Sequence, residues 1–148
     1  MYYIAYGSNL NIKQMKIRCP DSSVVGTSVL KDFQLLFKGS IGNAYLTIEP
    51  CEGSEVPVAV WEISETDEET LDLYESYPEL YYKALIEVQV NDKNVDCLIY
   101  IMNPGFECSI CSEDYFNSCK QGYRDFNFDL NVLETALDET VERYNKRV

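Results

Sequence analysis

The first residues whose types could do chemistry lie near the start of the chain, where a strand pattern changes to a turn and then to a helix. Residues 2–6 are aromatic and apolar, as in a β-strand, and residues 7–9 (Gly-Ser-Asn) favour a tight turn. Asn11 then suits the N-cap of a short helix predicted over residues 12–18. Such a turn can aim several backbone N–H groups at one anion or polarised carbonyl oxygen. An ordinary connecting loop has the same composition, so both interpretations stay open here.

Glu75 differs from the other acidic residues in its position on a predicted helix. Leu71, Tyr74 and Glu75 lie at i, i+3 and i+4, the spacing of a stripe that faces a protein core. A carboxylate on such a stripe loses water, and its pKa rises toward the range that a general base needs near neutral pH. The alternative is a glutamate at the edge of the stripe that reaches solvent or pairs with Lys83.

Composition excludes several classes of function. The net charge of −13, with no cluster of Lys and Arg, argues against nucleic acids and anionic membrane surfaces as partners. The chain contains no histidine, so proton transfer would depend on Asp, Glu, Tyr, Lys or Cys. Twelve tyrosines supply packing area together with hydroxyl groups that need partners, and several could line a polar pocket.

The six cysteines favour free thiols. No signal peptide and no membrane-spanning run is recognisable in the sequence, so we expect a cytoplasmic protein in a reducing compartment. Cys108 and Cys111 have the spacing of half a zinc site or of a redox pair. A second pair with matching spacing is missing, so we predict no bound metal.

Apolar periodicity and turn residues predict a single α+β domain over residues 1–148 with a mostly antiparallel or mixed sheet. Thr66 with Glu69 forms a predicted capping box, and Gly122 is a predicted helix C-cap. About six strands are predicted, at residues 2–6, 28–37, 44–49, 56–63, 82–90 and 95–102. The predicted helices cover residues 12–18, 64–76, 112–121 and 129–147.

Several separated motifs resemble one known family. They are Tyr-Gly-Ser-Asn-Leu at residues 6–10, Leu-Lys-Asp-Phe-Gln-Leu at residues 30–35, Leu-Asp-Leu-Tyr-Glu at residues 71–75 and Tyr-Ile-Met at residues 100–102. In this order they are similar to the γ-glutamylcyclotransferase family, the AIG2-like group, over most of the chain. The resemblance implies a small mixed, mostly antiparallel β-barrel with flanking helices. It also implies an enzyme that needs no cofactor and acts on a small γ-glutamyl substrate.

The resemblance also implies which residues form the site. The family's catalytic glutamate falls on Glu75, and the turn after the first strand would bind the γ-glutamyl group through backbone amides. The implied substrate-binding residues are Tyr3, Ile4, Ala5, Tyr6, Gly7, Ser8, Asn9, Leu10, Tyr82, Tyr100, Met102 and Tyr115. Strand alternation lets only one of Tyr81 and Tyr82 point inward, and either could fill the pocket position.

The implied reaction is a ring closure in which the substrate's α-amine attacks its own γ-carbonyl, releasing 5-oxoproline and an amino acid or amine. Two alternatives stay open. One is an amidase with Ser8 or a cysteine as nucleophile, with Lys13 or Glu75 as the base. The other is a non-catalytic binding module of the same fold. The sequence also leaves open the leaving group (an amino acid, a γ-glutamylamine or a modified antibiotic precursor) and the oligomeric state, including a homodimer.

Overall fold

The structure, a computed structural model, describes residues 1–147. Within this range the strands are β1 (Tyr2–Ala5), β2 (Ser23–Ser40), β3 (Asn43–Glu62), β4 (Tyr81–Val90) and β5 (Lys93–Met102). The helices are α1 (Ile12–Arg18), α2 (Glu65–Tyr74), α3 (Glu113–Asp125) and α4 (Leu130–Arg147). A 3₁₀ turn, Ser8–Leu10, connects β1 to α1.

The strands form one sheet in the order β2-β3-β1-β5-β4. All pairings are antiparallel except the one between β1 and β5, which is parallel. The edge strands β2 and β4 approach each other, and two hydrogen bonds connect them. Ser28 Oγ donates to Gln89 O at 2.6 Å, and Asn91 Nδ2 donates to Val25 O at 3.1 Å. The sheet thus curls toward a barrel, and the predicted mixed, mostly antiparallel α+β fold is confirmed.

The long hairpin of β2 and β3 replaces the separate short strands that were predicted there. The segment at residues 50–54, which lies between two predicted strands, is instead a bulge within β3, opposite a left-handed residue, Asp32 (φ 65°). The Asp32 carboxylate accepts a hydrogen bond from Gly53 N at 2.9 Å, and Gly53 is also left-handed at φ 85°. Because the chain keeps its direction through the bulge, β3 continues as one strand.

Helix α2 begins and ends differently from the prediction. Its capping box uses Ser64 and Asp67 rather than Thr66 and Glu69, so the helix begins at Glu65. It ends at Tyr74, and Glu75 is the C-cap residue rather than part of a buried stripe. The stripe prediction was therefore right for Leu71, which is fully buried, but Glu75 reaches the interior by a different route.

Helix α3 packs directly on the 3₁₀ turn, and Gly122 makes this approach possible. Gly122 was predicted as a C-cap, but it lies inside α3, which continues to Asp125. A Cβ atom at Gly122 would stand 2.6 Å from the backbone carbonyl carbon of Leu10, which is closer than real Cβ contacts. The glycine is therefore needed for the close contact that supports the turn from behind.

Helix α4 covers the β2–β3 hairpin with its apolar face. Leu133 is fully buried and Ala136 nearly so. Thr140 accepts a hydrogen bond from Phe37 N at 3.0 Å, which fixes the helix against β2. None of the described helices is long and apolar enough to cross a membrane.

Candidate active site

A cavity of about 160 Å³ lies where the end of β1, the 3₁₀ turn, the C-terminal end of α2, β5 and α3 meet. Its size suits a small molecule rather than a polymer. The lining residues are Tyr3, Ile4, Tyr6, Gly7, Ser8, Asn9, Tyr45, Leu46, Tyr74, Glu75, Ser76, Leu80, Tyr81, Tyr100 and Tyr115. The turn and Glu75, which are far apart in sequence, thus border the same space.

The 3₁₀ turn, which borders this space, leaves several of its backbone donors free of bonds within the turn. Its hydrogen bonds are donated by Leu10 N to Gly7 O and by Asn11 N to Ser8 O, both at 3.0 Å. The N–H groups of Gly7, Ser8 and Asn9 precede these bonds and have no acceptor within the turn, as at the start of any helical segment. Unpaired N–H groups that border a cavity can stabilise an anionic oxygen.

Glu75 is half-buried and has no ion-pair partner among the described residues. Desolvation of its carboxylate raises the pKa of Glu75 to about 7, and the positive charge of Arg18 acts in the opposite direction. Lys83, the alternative partner considered from the sequence, binds Glu68 and Asp72 instead, each at 2.8 Å. At neutral pH Glu75 can therefore both accept and return a proton.

Three tyrosine hydroxyls at the cavity are engaged by the protein backbone. Tyr6 Oη donates to Tyr100 O at 2.6 Å, and Tyr81 Oη donates to Leu46 O at 2.7 Å. Tyr115 Oη accepts a hydrogen bond from Leu46 N at 3.0 Å. Burial raises the pKa of Tyr6, Tyr81 and Tyr115 above the usual value for tyrosine, so all three stay neutral around Glu75.

Arg18 reaches the site, although the sequence suggested no arginine nearby. Its guanidinium carbon lies 3.6 Å from the centre of the Tyr74 ring, and the group donates a hydrogen bond to Asn9 Oδ1. Tyr74 Oη in turn lies 2.7 Å from Ser8 Oγ. The last residue of α1 thus contacts two lining residues, Asn9 and Tyr74, and these contacts depend on how α1 packs against α2.

Four residues of the predicted binding set do not line the cavity. Tyr82 is 40% exposed, and its neighbour Tyr81 is buried at the cavity, which corrects the choice of Tyr82 between the two. Their side chains point to opposite faces of β4, because successive residues of a strand alternate. Ala5, Leu10 and Met102 are buried in the core next to the site rather than at its surface.

Six lining residues were not in the predicted binding set, although Tyr81 was considered as the alternative to Tyr82. Among them Tyr45 and Leu46 lie near the start of the long strand β3, with no motif to single them out. Ser76 lies just after α2 at the cavity and has a left-handed backbone, with φ 51°. The nearby Pro78 does not by itself predict this conformation. The full set is Tyr45, Leu46, Tyr74, Ser76, Leu80 and Tyr81.

Cysteine and metal chemistry find no support at this cavity. All six cysteines are free thiols, including Cys108 and Cys111, and none of them is among the described lining residues. Cys119 is fully buried behind Tyr115, and burial raises its pKa, so its thiol is not activated. The described residues include no group of three or more side chains that could hold a metal ion.

Comparison with known proteins identifies the family of this chain. Residues 3–119 match the family described as gamma-glutamyl cyclotransferase, AIG2-like. The chain is 29% identical to the gamma-glutamylcyclotransferase of Homo sapiens over 142 residues, which cover 89% of this chain and 74% of that protein. It is 28% identical to the gamma-glutamylcyclotransferase of Mus musculus over 141 residues, covering 83% of this chain and 74% of that protein.

Similarity to a solved structure supports the same assignment. A structure described as a gamma-glutamyl cyclotransferase superimposes with a TM-score of 0.80 and 26% sequence identity. The match covers 92% of this chain and 85% of that one. Because the family match spans most of the sequence, the chain belongs to the gamma-glutamyl cyclotransferase, AIG2-like family.

Proposed function

We propose that this protein releases 5-oxoproline from a γ-glutamyl amide or peptide, with Glu75 as the general acid and base. The observation that carries the proposal is the pairing of two features in one cavity. Glu75 has a carboxylate with no ion-pair partner among the residues that the structure describes, and desolvation raises its pKa to about 7. Across the same cavity, the turn at residues 7–9 presents backbone N–H groups that have no acceptor within the turn.

The chemistry needs only the substrate's own groups and these two features. The α-amine attacks the γ-carbonyl carbon, a new C–N bond closes a five-membered ring, and Glu75 takes a proton from the attacking nitrogen. The carbonyl oxygen becomes an anion that the N–H groups of Gly7, Ser8 and Asn9 stabilise. When the original amide C–N bond breaks, Glu75 returns the proton to the leaving nitrogen.

Positioning supplies much of the rate. Because the attacking amine and the carbonyl belong to one molecule, holding the γ-glutamyl chain folded removes the entropic cost of bringing them together. The cavity of about 160 Å³ is small enough to favour such a compact conformer. Tyr6, Tyr81 and Tyr115 form rigid walls, because their hydroxyls are held by backbone groups.

The test is a 5-oxoproline assay across a panel of γ-glutamyl dipeptides and γ-glutamylamines. We expect turnover of at least one class, with the released amino acid or amine appearing in equal amount. Glu75→Gln should keep the fold and bind the substrate but lower kcat on the order of 10²- to 10⁴-fold. Glu79→Gln, an exposed neighbour, is the matched control and should leave kcat unchanged.

Other outcomes would favour the alternatives. A covalent acyl-enzyme detected by mass spectrometry, lost in Ser8→Ala, would support an amidase. Binding of γ-glutamyl compounds without any turnover would support a non-catalytic module. A Glu75→Gln variant with the wild-type rate would contradict the role of Glu75.

A further inference from the structure

A chain of three hydrogen-bonded side chains leads from the surface to the cavity. The Arg18 guanidinium donates to Asn9 Oδ1, and Asn9 Nδ2 donates to Tyr3 Oη at 2.8 Å. Asn9 and Tyr3 are both buried, with 3% of each side chain exposed. The order of donors and acceptors along this chain has a direction that the chemistry of arginine imposes.

Arginine has only donors and keeps its charge at every accessible pH. The amide oxygen of Asn9 must therefore face Arg18, and its NH₂ group must face Tyr3. The phenol oxygen of Tyr3 is then an acceptor toward Asn9, so its own proton has to point elsewhere. A flipped asparagine would place NH₂ against the guanidinium, where two donors would oppose each other.

The proton of Tyr3 has no acceptor among the described residues. Tyr3 lines the cavity close to Glu75, and its ring packs edge-on against Tyr100 with the ring centres 6.0 Å apart. Burial, with a contribution from the Glu75 charge, raises the pKa of Tyr3 well above its usual value, so the hydroxyl stays a donor. Tyr6 and Tyr81 differ, because each donates its proton to a backbone carbonyl.

We propose that Tyr3 is a further catalytic residue whose hydroxyl donates a hydrogen bond to an anionic oxygen of the substrate. Asn9 and Arg18 are positioning residues that keep this donor turned into the cavity. The inference rests on the proposed function, because the γ-glutamyl substrate supplies the anionic oxygens. Two anionic groups belong to the γ-glutamyl part itself: the oxyanion that forms at the γ-carbonyl during ring closure and the α-carboxylate.

The first test removes the donor. Tyr3→Phe should lower kcat/KM for a γ-glutamyl probe such as γ-L-glutamyl-L-alanine, or the best substrate of the panel, on the order of 10- to 100-fold. A decrease in kcat alone assigns the donor to the developing oxyanion. An increase in KM assigns it to the α-carboxylate. Substrate binding measured by calorimetry in the Glu75→Gln background should weaken only in the second case. Tyr144→Phe, on α4 and outside the set of lining residues, is the control and should match wild type.

The second test reverses the direction of the chain without removing Tyr3. In Asn9→Asp the new carboxylate accepts from Arg18 and also from Tyr3, so the tyrosine proton turns away from the cavity. On the plateau above the pH range in which Glu75 titrates, this variant should lose about as much kcat/KM as Tyr3→Phe. When Asn9→Asp is combined with Tyr3→Phe, kcat/KM should fall by less than about threefold relative to Tyr3→Phe alone, because the donor is already absent.

The outcomes are separable from those of the proposed function. If wild type is active and Glu75→Gln is not, but Tyr3→Phe keeps the wild-type rate, the inference fails alone. If Asn9→Asp lowers kcat/KM by the same factor in wild type and in Tyr3→Phe, the loss comes from the added charge. That result would overturn the positioning role of Asn9. If wild type forms no 5-oxoproline from any member of the panel, the proposed function fails and the assignment of Tyr3 fails with it.

Discussion

Asp72 and Glu75 are two carboxylates, one within α2 and one at its end, and their surroundings differ completely. Asp72 lies on the outer side, where its carboxylate bonds Lys83 at 2.8 Å and accepts a hydrogen bond from Tyr100 Oη at 2.6 Å. Glu75 lies at the cavity, where no cation pairs with it among the described residues and its pKa rises to about 7. Each carboxylate is a side chain of the same helical segment, so composition alone does not separate them.

The difference shows what makes a carboxylate reactive in this fold. The paired and hydrogen-bonded carboxylate of Asp72 serves structure, because it joins α2 to β4 through Lys83 and to β5 through Tyr100. An unpaired one in a small cavity is destabilised in its charged form and holds a proton that it can exchange near pH 7. Lys83 is bound by Glu68 and Asp72, and this pairing keeps it away from Glu75.

The largest expected effect comes from moving the reactive carboxylate. Glu75→Asp withdraws the carboxylate by one methylene, and a displacement of this size should lower kcat on the order of 10²-fold. Asp72→Asn should change kcat by less than about threefold, because its oxygen can still accept from Tyr100. Steady-state kinetics on the best γ-glutamyl substrate checks both, and similar losses from the two variants would contradict the separation of roles.

The next effect concerns stability. The folded pKa of Glu75, about 7, lies above the value for an unfolded glutamate, so the folded state loses stability as the pH rises from about 4.5 to 7. The cost is complete above pH 7 and absent below pH 4.5. Glu75→Gln should therefore be more stable than wild type at pH 8 by on the order of 2 to 3 kcal/mol, with the gain mostly gone at pH 5.

Denaturant unfolding at pH 5 and pH 8 measures this difference. Asp72→Asn is the control, and it should destabilise by about 1 kcal/mol or less at both pH values through its weakened bond to Lys83. A Glu75→Gln variant that is no more stable at pH 8 than wild type would show that the glutamate is not desolvated in solution.

The smallest expected effect concerns the pH dependence of the rate. The base must be deprotonated, so kcat/KM should be low at pH values below the Glu75 pKa of about 7. It should rise to a plateau at pH values above that pKa. Arg18 lowers this pKa, so Arg18→Met should move the acid limb to higher pH by a fraction of a unit, or roughly 1 kcal/mol at most.

Two variants serve as controls for that shift. Arg18→Lys keeps the positive charge and should leave the limb near its wild-type position. Tyr3→Phe removes a neutral donor, so it should lower the height of the profile without moving the limb. If the acid limb of the pH profile stays in place in Arg18→Met, the charges of Arg18 and Glu75 are not coupled.

Much of the fold followed from local pattern. The turn at Asn91 and Asp92, both with positive φ, and the apolar stripe of α4 are dictated by residues close together in the sequence. The strands of the long hairpin were harder to predict, because a bulge and a true loop share the same Gly-rich composition. The choice of Ser64 over Thr66 as N-cap likewise depended on which residue adopts an extended backbone.

By itself, the sequence determined the type of fold and the turn after β1, and its motif at residues 71–75 singled out Glu75, because these depend on patterns of residues close together in the chain. The helical stripe inferred for Glu75 was not its route to the cavity. Only the tertiary structure decided that Tyr81 rather than Tyr82 borders the cavity and that Lys83 is bound elsewhere. The same holds for Arg18, which orients Asn9 and through it Tyr3. The physical reason is that burial, pairing and hydrogen-bond direction arise between segments distant in sequence, where no local pattern records them.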